Sequence, residues 1–360
     1  MRILHLYRPR LPSFRAQAIQ VLHACHALAS RGHEVTLLAD RGTSGRPEDA
    51  LAAMGLPPAA GLHLRISPTT HSGLSGMWFR AHLSRWWAGA PGLVLARDKR
   101  RLQSALKLLK PNRHHVLLET HELDSALESE HGRPPTSAKL ESWLLPRIDA
   151  MVANCGGTLA AWEAAYGDAL PDNRRASHNA VSAARRRERV STPDPVIRCL
   201  GSMRTYKGFP WLMDAAADLP LPVELIGGRP EERAALDGSA RVRLLPPVPY
   251  PEVPDVLAAS SALLLPLQDN LFGRQLTSPL KLWDYLATAA PIIAPSLPSI
   301  DEIARLTGAP LHRYTPGDAD SLRRAADAAL QAPPRAPTVR TWDARAAEIE
   351  AIAVAIPPRR

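Results

Sequence analysis

A chain of 360 residues, 45% of them hydrophobic, is long enough for two domains, each with its own core. No apolar run reaches bilayer-spanning length, and the opening Met1–Tyr7 is too short for the apolar part of a signal peptide, so a cytoplasmic chain is expected. The net charge of +9, from 44 basic and 35 acidic residues, favours anionic partners, while three widely spaced cysteines (Cys25, Cys155 and Cys199) read as reduced core residues rather than disulfides.

Taken in chain order, residues 2–7 predict a strand and Arg15 to Arg31 a helix with Ile19, Leu22, Ala27 and Leu28 on one side. Gly32 ends that helix and Glu34–Ala39 is the next strand. Strand, helix and strand with a glycine exit make a βαβ unit, so a parallel sheet is expected. The apolar runs Leu93–Ala96, Val116–Leu118 and Ala150–Ala153 repeat the rhythm. Ser75–Trp87 mixes tryptophans with cations, and Arg97–Arg113 carries seven Lys/Arg among leucines. Each suits either an anionic membrane surface or a helix with an apolar core face and a solvated basic one.

Charge followed by paired prolines predicts a linker at 184–195. The first domain is therefore 1–183 and the second 196–341. The second restarts the rhythm with Val196–Leu200, a helix from Phe209 to Leu219, and strands at Pro222–Ile226, Val242–Leu245 and Leu263–Pro266. A closing helix at 342–360 could be received by either domain and is assigned back to the first. The expected fold class is α/β, with two Rossmann-like doubly wound domains facing a cleft where ligands gather.

The most informative stretch is Thr277–Ala287 followed by Ala290–Ala294. Small polar residues and Pro279 mark a helix start, whose free N–H groups suit phosphate, and a buried strand follows. Asp284, one turn in, is placed to hold sugar hydroxyls. This stretch resembles the donor-binding segment of family 4 glycosyltransferases (glycosyl transferases group 1), enzymes of the GT-B fold. It is most similar to the version S-P-x-K-x-x-E-Y-x-A, with Asp284 for the glutamate. Gly201–Gly208 resembles the family's G-R-x-x-x-x-K-G loop, with Ser202 where the arginine usually stands and Arg204 two residues on. Ala27–Val35 is similar to the family's L-x-x-x-G-H-x-V, which marks fold; His33 reads as a turn residue. The opening loop, Arg8–Arg15, lacks the family's glycine pair, and Arg10 or Arg15 is offered as its substitute in charge. Asn179 matches the family's turn before the linker, with Ala180 for glycine.

The resemblance implies a retaining glycosyltransferase that moves a sugar from a nucleoside diphosphate sugar to an acceptor hydroxyl on a small molecule, a glycan or a lipid-linked chain. It implies Arg204 and Lys207 at the donor diphosphate, with the backbone near Ser202, Gly227, Thr277, Ser278, Pro279 and Leu280 around it. Val248, in Pro246–Tyr250, falls where relatives hold the base. Asp284 would bind donor hydroxyls. His121, after the strand Val116–Leu118, would line the site beside Glu122. The family's first acidic residue falls on Leu276, and Gln275 or Asp269 is left to substitute for it. No metal and no cofactor beyond the nucleotide sugar, as co-substrate, is expected; a peripheral contact with an anionic membrane is, and a nucleic-acid partner is not. A GT-B-type nucleotide-sugar epimerase is the alternative enzyme, a basic nucleic-acid-binding protein the remoter one, and a catalytically dead relative is open too. Neither a G-x-S-x-G elbow nor a dinucleotide or Walker motif is present.

Overall fold

The computed structural model describes residues 1–109, 113–203, 208–236 and 241–357. They form two compact units, one of Met1–Asn179 with Trp342–Arg360, the other of Ala180–Thr341.

The first unit holds β1 (Arg2–Leu6), β2 (Arg10–Leu11), β3 (Glu34–Arg41), β4 (Leu62–Ile66), β5 (Leu93–Ala96), β6 (His115–Thr120), β7 (Ala150–Ala153) and β8 (Arg174–Ala176). They pair in the order β2-β3-β1-β5-β6-β7-β8, with β4 also on β3. The second unit holds β9 (Ile197–Leu200), β10 (Val223–Ile226), β11 (Val242–Leu245), β12 (Ala262–Leu264), β13 (Ile292–Pro295) and β14 (His312–Tyr314), in the order β11-β10-β9-β12-β13-β14. All pairings are parallel. Central strands such as β5 and β7 are buried along their whole length, as strands covered by helices on both faces must be, which explains their unbroken apolar sequence. In each sheet the chain winds outward one way and then the other. The order reverses between β1 and β5, and again between β9 and β12, and ligands of open α/β sheets sit outside the strand ends at such reversals.

The structure departs from the sequence reading at the expected linker and at strands on the sheet margins. The stretch 184–195, expected as a linker, lies in the second unit, where Arg185 is only 6% exposed. Its Nε donates to Asp284 at 2.9 Å, its Nη1 donates to the Tyr250 carbonyl at 2.9 Å, and its guanidinium lies 3.9 Å from the Tyr250 ring centroid. The helix follows Pro279, as the sequence reading has it, and runs from Leu280 to Leu286, with Thr277 and Ser278 buried ahead of it. The strands β2, β4, β8 and β14 had no counterpart in the sequence reading: β2 is two residues long, β4 alternates apolar Leu62, Leu64 and Ile66 with His63 and Arg65, and β8 and β14 are mostly polar or charged at sheet margins, where charge also discourages edge pairing with other chains.

The closing helix, Trp342–Val354, belongs to the first unit and packs on the helix Ala16–Ser30. Arg31 pairs with Asp343 at 3.2 Å and with Glu350 at 2.7 Å, and Asn173 donates to the Ile352 carbonyl at 2.8 Å. His33 is a turn residue, its Nδ1 3.0 Å from the terminal amine.

At the second reversal, β9 and β12 pair only through Ile197 with Ala262 and Arg198 with Leu263. Beyond that point the helix Leu280–Leu286 inserts Tyr285. Its hydroxyl accepts the Leu200 N–H at 2.9 Å and donates to the Leu264 carbonyl at 3.2 Å. Arg335 closes the other end of the helix, with Nη2 donating to the Tyr285 carbonyl at 2.5 Å, Nη1 to Leu286 at 3.2 Å and Nε to Ala290 at 3.1 Å. Tyr285→Phe leaves a buried N–H and a buried C=O without that partner, so it is expected to cost roughly 1–3 kcal/mol. Amide hydrogen exchange should register this as faster exchange at Leu200; unchanged protection there would remove the hydroxyl from the account.

Candidate functional site

In the first unit the C-terminal ends of β1, β5 and β6 carry a buried polar cluster around Glu119, which is 1% exposed. Its Oε1 accepts from Arg345 Nη2 at 2.7 Å, from His121 Nε2 at 2.9 Å and from Gln20 Nε2 at 3.3 Å, and its Oε2 lies 3.5 Å from His5 Nε2. Arg345 comes from the closing helix and also donates Nε to the His178 carbonyl at 3.1 Å. Arg97, just after β5, donates to the Gln20 side-chain oxygen and lies over the Tyr7 ring. Burial pushes the Glu119 carboxyl up, but Arg345, His121 and His5 outweigh it and hold it well below the usual carboxylate range. A carboxylate only accepts, so His121 Nε2 carries the ring proton. Burial, with Arg97 nearby, pushes His121 down to about 4, so the ring is neutral at pH 7. Its Nδ1 is then an acceptor with no hydrogen-bond partner among the described residues. Glu122, beside it, is raised by burial and by Asp124.

Of this cluster, sequence reasoning offered His121 as a candidate and gave no role to Glu119, Gln20, Arg97 or Arg345. Arg10 and Arg15, offered in place of the missing glycine pair, are exposed, Arg10 on the edge strand β2 and Arg15 ahead of the first helix.

In the second unit the strand ends at the reversal are lined with glycine backbone. Gly201 (φ +119°) and Gly227 (φ +126°) follow β9 and β10 directly, and a Cβ on Gly227 would stand 2.5 Å from the Gly201 carbonyl oxygen. Only glycine allows both the dihedral and the approach. Ser202 follows Gly201, half-buried. Arg204 and Lys207 lie outside the described residues. Asp284 keeps one oxygen on Arg185, and burial raises its carboxyl while Arg185 opposes the rise. Its Oδ2 has no hydrogen bond among the described residues. Ser278 accepts the Trp283 indole N–H at 3.0 Å, which ties its hydroxyl oxygen to the core. Pro279 and Leu280 are half-buried at the helix start. Val248 lines a cavity of about 370 Å³ with Pro246, Leu245, Ile226, Val256 and the ion-paired Arg198 and Glu224. A second cavity, about 360 Å³, opens at the ends of β12 and β14 between Gly208, Trp211, Gln268, Asp269 and Asn270.

Leu276 is fully buried, so the family's first carboxylate has no counterpart at that position. Asp269 is exposed and paired with Arg274 at 3.1 Å. Trp86 and Trp87, in the segment that suited either a membrane surface or a helix with an apolar core face, are core residues, with Arg2 stacked 4.0 Å over Trp86. What the helix Ser72–Ala88 exposes is Leu74 and Met77 beside Arg80 and Arg85. Among the described residues no helix is long and apolar enough to cross a membrane, and no group of three His, Cys, Asp or Glu could hold a metal ion.

Two doubly wound parallel units in tandem, each with its polar groups at the strand ends where the order reverses, define the GT-B class. Residues 16–177 match the family model described as glycosyl transferase 4-like domain, and residues 194–332 the model described as glycosyl transferases group 1. The chain belongs to these glycosyltransferases. Solved structures with the same fold include sucrose-phosphate synthase of Thermosynechococcus elongatus (TM-score 0.70, 15% identity, 98% of each chain covered). Anabaena HepE in complex with UDP-glucose is another (TM-score 0.67, 15% identity, 99% of this chain and 98% of that one). A third is the catalytic domain of starch synthase IV from Arabidopsis thaliana bound to ADP and acarbose (TM-score 0.61, 9% identity, 98% of this chain and 99% of that one). A search of curated protein sequences finds no match.

The His121 shift has a definite sign in stability. An unfolded histidine takes its proton near 6.5, whereas the folded ring resists it down to about 4. Nothing is lost above pH 6.5. Between 6.5 and 4 the unfolded state binds the extra proton, and stability falls with a slope approaching about 1.4 kcal/mol per pH unit. Chemical denaturation at stepped pH should show His121→Gln with a shallower decline than wild type across that window; parallel curves would mean that the ring titrates normally.

Proposed function

We propose that this protein is a retaining glycosyltransferase that moves a sugar from a nucleoside diphosphate sugar to an acceptor hydroxyl. The reading is carried by the glycine-lined strand ends at Gly201 and Gly227, set in a chain whose two units match glycosyl transferase models. Backbone without side chains lets a diphosphate approach the end of β9, and Arg204 and Lys207 supply charge that offsets the leaving group, so no metal is required. The free oxygen of Asp284 accepts from a donor hydroxyl, and the cavity beside Val248 takes the base. That HepE is found with UDP-glucose and starch synthase IV with ADP supports the donor class without choosing the base.

The first unit takes the acceptor. The bond from the anomeric carbon to the diphosphate oxygen breaks, and a bond to the acceptor oxygen forms on the same face. The hydroxyl proton leaves with the diphosphate. His121, at about 4, is the weaker base, since a phosphate monoester takes its second proton near 6. His121 Nδ1 therefore orients a hydroxyl rather than deprotonating it. Work at the inner face of a membrane on a glycan or lipid-linked acceptor fits the exposed Leu74 and Met77 with their flanking arginines.

The test is a thermal-shift panel of nucleotide sugars, then turnover with the binder and NMR of the product anomer. Retention supports the reading; inversion, or conversion of the sugar with no acceptor present, overturns it. Lys207→Ala should lower turnover by about 10²-fold or more, and near-normal turnover would remove the lysine from the reaction.

A further inference from the structure

We infer that Lys281 is a diphosphate-binding residue of the donor site, supplying the positive charge that Ser202 does not. The inference rests on the donor reading above and adds a residue to it. The Lys281 ammonium is buried and meets no hydrogen-bond acceptor among the described residues. It lies against the end of β9, where a Cβ placed on Gly201 would stand 3.4 Å from Nζ and 3.3 Å from Cε. Tyr285, one helical turn on and therefore on the same face, bridges the ends of β9 and β12. Lys281 thus stands at the reversal of strand order, beside the glycine backbone.

A buried cation without an anion is unstable unless something compensates it. The Phe209 ring, its centroid 5.6 Å from Nζ, attracts the charge but cannot take its three N–H donors. The carboxylate nearest in sequence, Asp284, is engaged by Arg185. The partner that fits is an anion entering from solvent with several acceptor oxygens, and lysine serves phosphate well as a compact point charge. A diphosphate at the Gly201–Gly227 backbone would bring such oxygens to Nζ.

Calorimetric titration of the full chain with UDP, ADP, GDP and dTDP identifies the diphosphate that wild type binds, and the matching nucleoside and inorganic pyrophosphate are titrated alongside. Lys281→Met should weaken the diphosphate by about 10- to 100-fold and leave the nucleoside within about twofold, while Lys281→Arg should recover most of the loss. A fall in pyrophosphate affinity in step would place the contact on the phosphates. If wild type binds none of the four nucleotides, the donor reading itself fails. If wild type binds and Lys281→Met binds equally, the lysine assignment alone fails. Should the methionine variant misfold, amine labelling of wild type mapped by mass spectrometry decides: protection of Lys281 by the diphosphate and not by the nucleoside supports it, and equal labelling overturns it.

Discussion

The second unit depends on how two parallel strands are held after they stop pairing. Once β9 and β12 part, their last backbone groups need partners that no strand supplies. The Tyr285 hydroxyl serves both, taking one N–H and giving its proton to one C=O. The helix that carries it is only seven residues long and would not hold its position alone. Pinned by Tyr285 at the sheet and capped by Arg335 at its carbonyl end, it becomes a fixed arm. Lys281 and Asp284 are then placed by the helical repeat, one against Gly201 and the other against Arg185.

The first unit solves a harder problem with the same economy. A carboxylate under the strand ends must shed its water, at a cost of several kcal/mol unless charged donors replace it. Glu119 receives Arg345, His121 and Gln20, and the arginine comes from the helix that closes the chain. This ties the polarity of His121 to the docking of the C-terminal helix. With Glu119 ionised, Nε2 must donate and Nδ1 must accept. Arg31 and Asn173 hold the same helix from outside, so the ring's tautomer rests on contacts far from it.

Much of the fold was legible because buried parallel strands are apolar throughout and helices between them keep their period. Leu93–Ala96 and Ala150–Ala153 declare themselves in this way. The polar strands β8 and β14 do not, since nothing in a run such as Arg174–Ala176 distinguishes a margin strand from a loop. The candidate site residues that the sequence offers are local ones: Gly201, Gly227, Ser278 and Asp284 lie in short motifs. The sequence was opaque where partners are distant. Arg345 and Glu119 are 226 positions apart, and Arg185 and Asp284 are 99 apart, so charge near prolines read as a linker. The tryptophans of Ser75–Trp87 show the converse. Trp and Arg together fit a membrane surface or a core equally well, and only packing tells that Trp86 is covered by Arg2 from inside the unit.

Buried charge also separates structural groups from binding ones. In the second unit Arg185 pairs with Asp284, Arg198 with Glu224, and Arg335 with four carbonyls. Each has its partner within the fold, so each contributes to a single rigid arrangement. Lys281 has a buried ammonium at the strand ends and an aromatic ring as its only charge-stabilising neighbour among the described residues. Each of these arginines has an anion or carbonyls of the unit in contact, although Arg185 Nη2, like Lys281 Nζ, has no hydrogen bond of its own among the described residues. A cation left open at the reversal of strand order, against glycine backbone that admits a ligand, is one whose partner comes from outside the chain.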